Sequence, residues 1–208
     1  MNHIHSLDPV RDAVIRIESA LRDALDARGR AVLLLSGGSS PRPVHEALSE
    51  ADLDWSRVHV GLVDDRVDPA GSNADFVRET LLKNRASAAT FHPMKEGGYA
   101  DLMPADMCVM GMGSDGHTAS WFPETEDLAK AMDPMTDESV VHVDSESVPG
   151  AGEFRYRLTL TLPAVMASRH ILLFIPGEKK REVFEKREGL PVDALTASDR
   201  LTVITGEV

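Results

Sequence analysis

Met107-Cys108-Val109-Met110-Gly111-Met112-Gly113-Ser114-Asp115-Gly116-His117-Thr118-Ala119-Ser120 joins a short apolar run to a glycine-rich turn, and this junction decides the fold. An unbroken apolar run suits a strand covered on both faces, as in a parallel sheet flanked by helices. Gly111, Gly113 and Gly116 then let the backbone turn sharply and approach a ligand closely. Open α/β sheets bind ligands at the carboxyl ends of their strands, so chemistry is expected at this turn, and His117 sits at its mouth. An imidazole titrates near neutrality and can take up and return a proton within one cycle. The Gly111-x-Gly113-x-x-Gly116 spacing also matches a dinucleotide fingerprint. Against it, Asp115 would set a negative charge beside the pyrophosphate, and Pro123 interrupts the helix whose amides should receive it.

The flanking segments continue the pattern. Asp8-Pro9 reads as an N-cap and a proline at the first helical position; Val10, Val14, Ile17, Leu21 and Leu25 follow at helical spacing, and the helix ends near Gly29. Residues 31–35 form an apolar run bounded by Ser36-Gly37-Gly38, and 43–48 read as a helix. A strand over 58–63 leads through an acidic turn at Asp64-Asp65 into a helix over about 73–82. In the second half, 90–93 is a weaker strand, 140–143 a strand pairing at one side, 157–162 strand-like, and 163–168 a short helical crossover. Residues 170–175 are the clearest buried strand there, 177–188 a helix and 201–205 a last strand, while the Ser-, Glu-, Pro- and Gly-rich stretch 144–152 reads as a floppy loop. Strands alternating with helices predict an α/β fold: a mostly parallel, Rossmann-like sheet with helices on both faces, joined by right-handed crossovers.

A chain of 208 residues suits one domain, spanning 1–208. Its formal net charge of −12 argues against nucleic acid or an anionic membrane as a partner. The one cysteine, Cys108, lies inside an apolar strand and can form neither an internal disulfide nor a thiolate cluster, so core packing is its expected role. No basic segment followed by an apolar block opens the chain, and no apolar run reaches the roughly 20 residues that span a bilayer. A soluble, cytoplasmic protein is expected, acting as a monomer.

Four stretches follow strand ends and are expected on one rim. Ser36-Gly37-Gly38-Ser39-Ser40-Pro41 is a glycine-rich turn that opens a helix, where backbone amides, the Ser39 and Ser40 hydroxyls and the helix dipole could cradle a phosphate. Without the Gly-Lys-Ser/Thr of a nucleotide loop, one phosphoryl group suits it better than a triphosphate. Asp64-Asp65-Arg66 could bind a metal, orient a histidine, or form a solvated loop with a surface ion pair. Asp115 and His117 are the third stretch. Arg157 and Lys180, which frame the last crossover, are the fourth, although such residues are mostly exposed surface groups.

Taken in order, several motifs resemble the 6-phosphogluconolactonase family: Ser-Gly-Gly-Ser-Ser-Pro at 36–41, Asp-Asp-Arg-Val at 64–67, Ser72-Asn73, and Gly-Met-Gly-Ser-Asp-Gly-His-Thr-Ala-Ser-x-Phe-Pro at 111–123. Arg-Leu-Thr-Leu-Thr-Leu-Pro at 157–163 and Gly-Glu-Lys-Lys at 177–180 extend the resemblance, which spans residues 31–184. It implies the fold shared with glucosamine-6-phosphate deaminase. It also implies hydrolysis of 6-phospho-D-glucono-1,5-lactone to 6-phospho-D-gluconate, in the oxidative pentose phosphate or Entner–Doudoroff route, with neither a metal nor an organic cofactor. By the same resemblance His117 is the acid/base group, Asp64, Arg66 and Asp115 are its active-site neighbours, and Gly37, Gly38, Ser39, Arg157 and Lys180 hold the phosphate. The chemistry is consistent: attacking water loses a proton, the departing ring oxygen gains one, and one histidine can serve both. No Gly-x-Ser-x-Gly elbow surrounds Ser114, because Met112 occupies the first glycine position.

The chain departs from the family pattern at Asp65, where Glu is usual, at Trp121, where Leu is common, and at Met166, often Asn. Residues 95–105 are too few for the usual helix, and no closing helix follows Thr205. An amino-sugar phosphate deaminase/isomerase would continue the turn with Ile-Ala-Phe-Asn-Glu instead of Thr118-Ala119-Ser120-Trp121-Phe122 and carry Tyr in place of Arg66. A non-catalytic sugar-phosphate sensor would leave both Asp115 and His117 unexplained.

Overall fold

The computed structural model of the chain describes residues 1–67, 71–95, 98–146 and 148–207. A strand opens it, β1 (Asn2–His5), where the sequence suggested none. Helix α1 (Pro9–Arg28) begins as expected: Asp8 accepts a hydrogen bond from the Arg11 amide at 3.1 Å, and Gly29 ends the helix at φ 72°. Then come β2 (Ala31–Leu35), α2 (Arg42–Leu48), β3 (Val58–Leu62), β4 (Asp64–Arg66), α3 (Asn73–Thr80), β5 (Thr90–Phe91) and β6 (Met107–Met110). The second half carries α4 (Leu128–Ala131), β7 (Val140–Asp144), β8 (Tyr156–Leu160), α5 (Leu162–Ala167), β9 (Ile171–Phe174), α6 (Glu178–Glu185) and β10 (Leu201–Thr205).

Seven strands form one parallel sheet in the order β1-β10-β9-β6-β2-β3-β5. Every residue of β2, β6 and β9 is buried, as a strand covered on both faces requires. From β2 the chain proceeds outward through β3 to β5, then returns to place β6 on the other side of β2 and continues through β9 to β10. The order reverses between β2 and β6, and such a switch point opens a crevice beyond the strand ends. At the opposite, amino-terminal end Asp106 ties three elements together: it takes Arg28 Nη2 at 2.5 Å, the Val32 amide at 2.8 Å and Arg169 Nε at 3.3 Å.

A second, antiparallel sheet has the order β4-β8-β7. Two expectations change here. Residues 64–66 are a strand rather than an acidic turn, and the strand expected over 157–162 sits in this small sheet and stops at Leu160, before α5. The cause lies at Val63, whose amide donates to Leu35 O at 3.0 Å in the first sheet while its carbonyl accepts from Leu160 at 2.8 Å in the second. Residues 140–143 do pair at one side, against β8.

The stretch 144–152 is not a bare loop. It begins inside β7, forms a single 3₁₀ turn at Pro149–Ala151, and buries Val148 and Ala151 against Phe122 and Val143. Ser147, like Glu96 and Gly97 of the short 95–105 segment, lies outside the described residues. Within the latter, Ala100–Leu102 is one 3₁₀ turn. Cys108 is fully buried, and burial pushes its thiol up to about 12, as expected of a core residue. Among the described residues no helix is long and apolar enough to cross a membrane.

Candidate active site

A cleft of about 410 Å³ opens at the carboxyl ends of β2 and β6, at the switch point. Ser36 binds the two strand ends together: its hydroxyl donates to Val109 O at 3.0 Å and accepts from the Gly111 amide at 3.0 Å. Beyond it, Gly37, Gly38 and Ser39 form one wall, with Gly38 at φ 96°. A Cβ at Gly37 would fall 2.0 Å from Asn73 Oδ1, so the turn can pack against α3 only as glycine. Lys180, in the first turn of α6, reaches across and donates from Nζ to Ser40 Oγ at 2.9 Å. Partial burial lowers its pKa.

The turn after β6 folds back on itself. The Gly113 amide donates to His117 O at 2.9 Å, and the Thr118 hydroxyl donates to Gly111 O at 2.7 Å. Asp115 and His117 are thereby brought side by side, with Oδ1 and Nδ1 at 2.5 Å. Burial pushes the Asp115 carboxyl up, but the hydrogen bond and charge of His117, with nearby amides, outweigh it and hold the group below the usual carboxylate value. With Nδ1 engaged by the carboxylate, Nε2 is the ring nitrogen left for chemistry. The imidazole packs on Phe122, ring centroids 4.6 Å apart.

Asp64, expected as an active-site neighbour of the histidine, lines the same cleft and has partners of its own. Its Oδ2 accepts from Ser120 Oγ at 2.7 Å and lies 3.8 Å from Arg157 Nη1, while Oδ1 accepts from Asn73 Nδ2 at 3.2 Å. Of the roles open to the acidic pair, orienting the histidine falls to Asp115 instead. Asp65 accepts from the Asn73 amide, at the start of α3, at 2.6 Å and from the Arg66 amide at 2.8 Å; burial nevertheless raises its pKa. Arg66 donates to Gly71 O and stacks 4.6 Å from the Phe154 ring centroid.

Arg157 is the least typical cation of the set, only 5% exposed. Its guanidinium donates to Ala151 O and Phe154 O and lies 5.1 Å from the Phe122 ring centroid. Burial lowers its pKa against the pull of Asp64.

The structure therefore gathers Gly37, Gly38, Ser39, Asp64, Arg66, His117, Arg157 and Lys180 around one cleft, with Asp115 behind the histidine. Sequence reasoning from chemistry alone passed over Asn73, Ser120 and Gly150. Asn73 carried a faint signal as part of the Ser72-Asn73 motif, with Ser72 capping α3. Ser120 carried one as part of the histidine block. Gly150 carried none, since its place depends on a contact distant in sequence: a Cβ there would fall 2.3 Å from Asp115 Oδ2. Among the described residues no cluster of three or more His, Cys, Asp or Glu is arranged to hold a metal ion.

Residues 8–202 match the family model described as glucosamine-6-phosphate isomerases/6-phosphogluconolactonase. The 6-phosphogluconolactonase of Neisseria meningitidis serogroup B is 40% identical over 188 residues, covering 82% of this chain and 79% of that protein. That of Xylella fastidiosa strain Temecula1 is 40% identical over 201 residues, covering 89% and 83%. The crystal structure of a 6-phosphogluconolactonase from Shewanella baltica superposes with a TM-score of 0.86 at 34% identity, covering 100% of this chain and 97% of that one. A monomeric glucosamine-6-phosphate deaminase shares the fold, with a TM-score of 0.74 at 19% identity. With the histidine turn at the switch point of a parallel sheet and these likenesses running along nearly its whole length, the chain belongs to the glucosamine-6-phosphate isomerase/6-phosphogluconolactonase family.

Proposed function

We propose that the protein hydrolyses 6-phospho-D-glucono-1,5-lactone to 6-phospho-D-gluconate. The observation that carries this reading is the Asp115–His117 pair, 2.5 Å apart, with the histidine lining a cleft that Gly37, Gly38, Ser39 and Lys180 line as well. Asp115 holds Nδ1, and Nε2 takes a proton from a water molecule as its oxygen bonds to the lactone carbonyl carbon. When the tetrahedral intermediate collapses, the bond to the ring oxygen breaks and the same nitrogen returns the proton to that oxygen, which leaves as a hydroxyl. Ser120 is fully buried and donates to Asp64, and Cys108 is buried in the sheet, so neither is placed to act as nucleophile. Water attack fits the site better than an acyl-enzyme route.

The phosphoryl group belongs against the amides of Gly37, Gly38 and Ser39 and the ammonium of Lys180, with Arg157, which lines the same cleft, adding positive charge. Asp64 and Arg66 line the same cleft. We read residues 1–208 as one domain, acting in the cytoplasm as a monomer and without a cofactor. The test is a pH-stat or coupled assay on freshly prepared lactone: acceleration of acid release over the spontaneous rate supports the reading. No acceleration, or ammonia release from glucosamine 6-phosphate in its place, overturns it.

A further inference from the structure

Asp115 and His117 lie between two glycines. A Cβ at Gly113 would fall 2.2 Å from His117 Cε1 and 2.6 Å from Asp115 Oδ1; a Cβ at Gly150 would fall 2.3 Å from Asp115 Oδ2 and 3.4 Å from His117 Nδ1. Neither glycine has a positive φ, so space rather than backbone conformation requires it. Asp115 Oδ2 is buried there without a hydrogen-bond partner. Gly113 belongs to the same turn as the pair. Gly150 is delivered from a distant segment, and that segment is anchored twice. Val148 and Ala151 pack into an apolar cluster with Phe122 and Val143. Arg157 grips the same segment by donating to Ala151 O from Nη2 and to Phe154 O from Nε at 3.3 Å. Phe122 in turn touches both the Arg157 guanidinium and the His117 ring.

We infer that Arg157 is a positioning residue for the Asp115–His117 pair: through the carbonyls of Ala151 and Phe154 it holds Gly150 against Asp115 Oδ2, which fixes the imidazole with Nδ1 on the carboxylate and Nε2 toward the cleft. This rests on the reading of His117 as the acid/base group, and it is additional to any contact Arg157 makes with phosphate. A guanidinium can satisfy two carbonyls from one planar fork; an ammonium keeps the charge but not the fork.

Gly150→Ala carries the test, because Gly150 brings no charge to a phosphate. In wild-type protein carrying ¹⁵N-labelled histidine, His117 shows the signature of the tautomer protonated at Nδ1. The methyl of Gly150→Ala displaces the carboxylate, so the signature moves toward mixed tautomers, and kcat falls about 10-fold to 100-fold while KM changes less than about 2-fold. Arg157→Lys moves the signature in the same way. Lys180→Ala, which removes a cation but no contact to the segment, keeps it. Folded Gly150→Ala with wild-type signature and kcat overturns the inference, and so, whether or not that variant folds, does an unchanged signature in Arg157→Lys. The signature is independent of turnover, so a protein that shows these shifts but does not hydrolyse the lactone refutes the proposed reaction and leaves the positioning role standing.

Discussion

At His117 one ring nitrogen is committed and the other is not, and this division makes the residue testable. His117→Ala removes the group that moves both protons, so kcat falls by about 10²–10⁴ while 6-phosphogluconate binding, measured by calorimetry, stays within about 2-fold of wild type. Near-normal turnover would end the histidine scheme. Lys180→Ala affects a contact made equally in ground and transition states, so KM rises about 10-fold and kcat holds, checked by steady-state kinetics on the lactone. The Asp115–His117 pair was legible in the sequence because both members sit on one glycine turn, two residues apart, and local chemistry suffices to join them. The contacts of Asp64 were not legible, for the opposite reason. Its partners Ser120, Asn73 and Arg157 come from three other segments, and no spacing along the chain encodes their meeting.

The elements divide along the same line. Long buried strands and α1 announce themselves, since burial on both faces demands continuous apolar residues and a helix needs caps. The two strands that escaped are short and polar: β1 is an edge strand, and β4 carries the acidic pair, so their pairing is dictated by their neighbours. Helix α2 hides a different feature, a fully buried histidine. His45 Nδ1 lies 3.1 Å from Thr80 Oγ1, and burial, helped by the charge of Arg42, drives its pKa down to about 3. The folded state thus keeps His45 neutral while the unfolded chain protonates near pH 6.5. Its contribution is complete above that value and is lost progressively as the pH falls toward 3. Urea unfolding at pH 5 should therefore give a stability about 2 kcal/mol below that at pH 7 from this residue alone. His45→Gln should flatten that part of the profile, and an equally steep profile in the variant would assign the loss to other groups.

For the whole molecule, two sheets meeting at Val63 bring the phosphate turn, the histidine turn and the Arg157 strand to one side. That convergence makes metal dependence a property to be measured on the intact protein. Turnover should survive exhaustive dialysis against EDTA; loss that one divalent metal restores would replace the histidine base with metal-activated water. The parallel sheet also has a consequence for how the chain folds. Among the described residues β1 pairs with β10 alone, from Asn2↔Thr202 to His5↔Thr205, so closing this contact joins two stretches some 200 residues apart in the chain. Until β10 is in place β1 is an open strand with nothing to zip onto, and that margin of the sheet stays exposed to other chains.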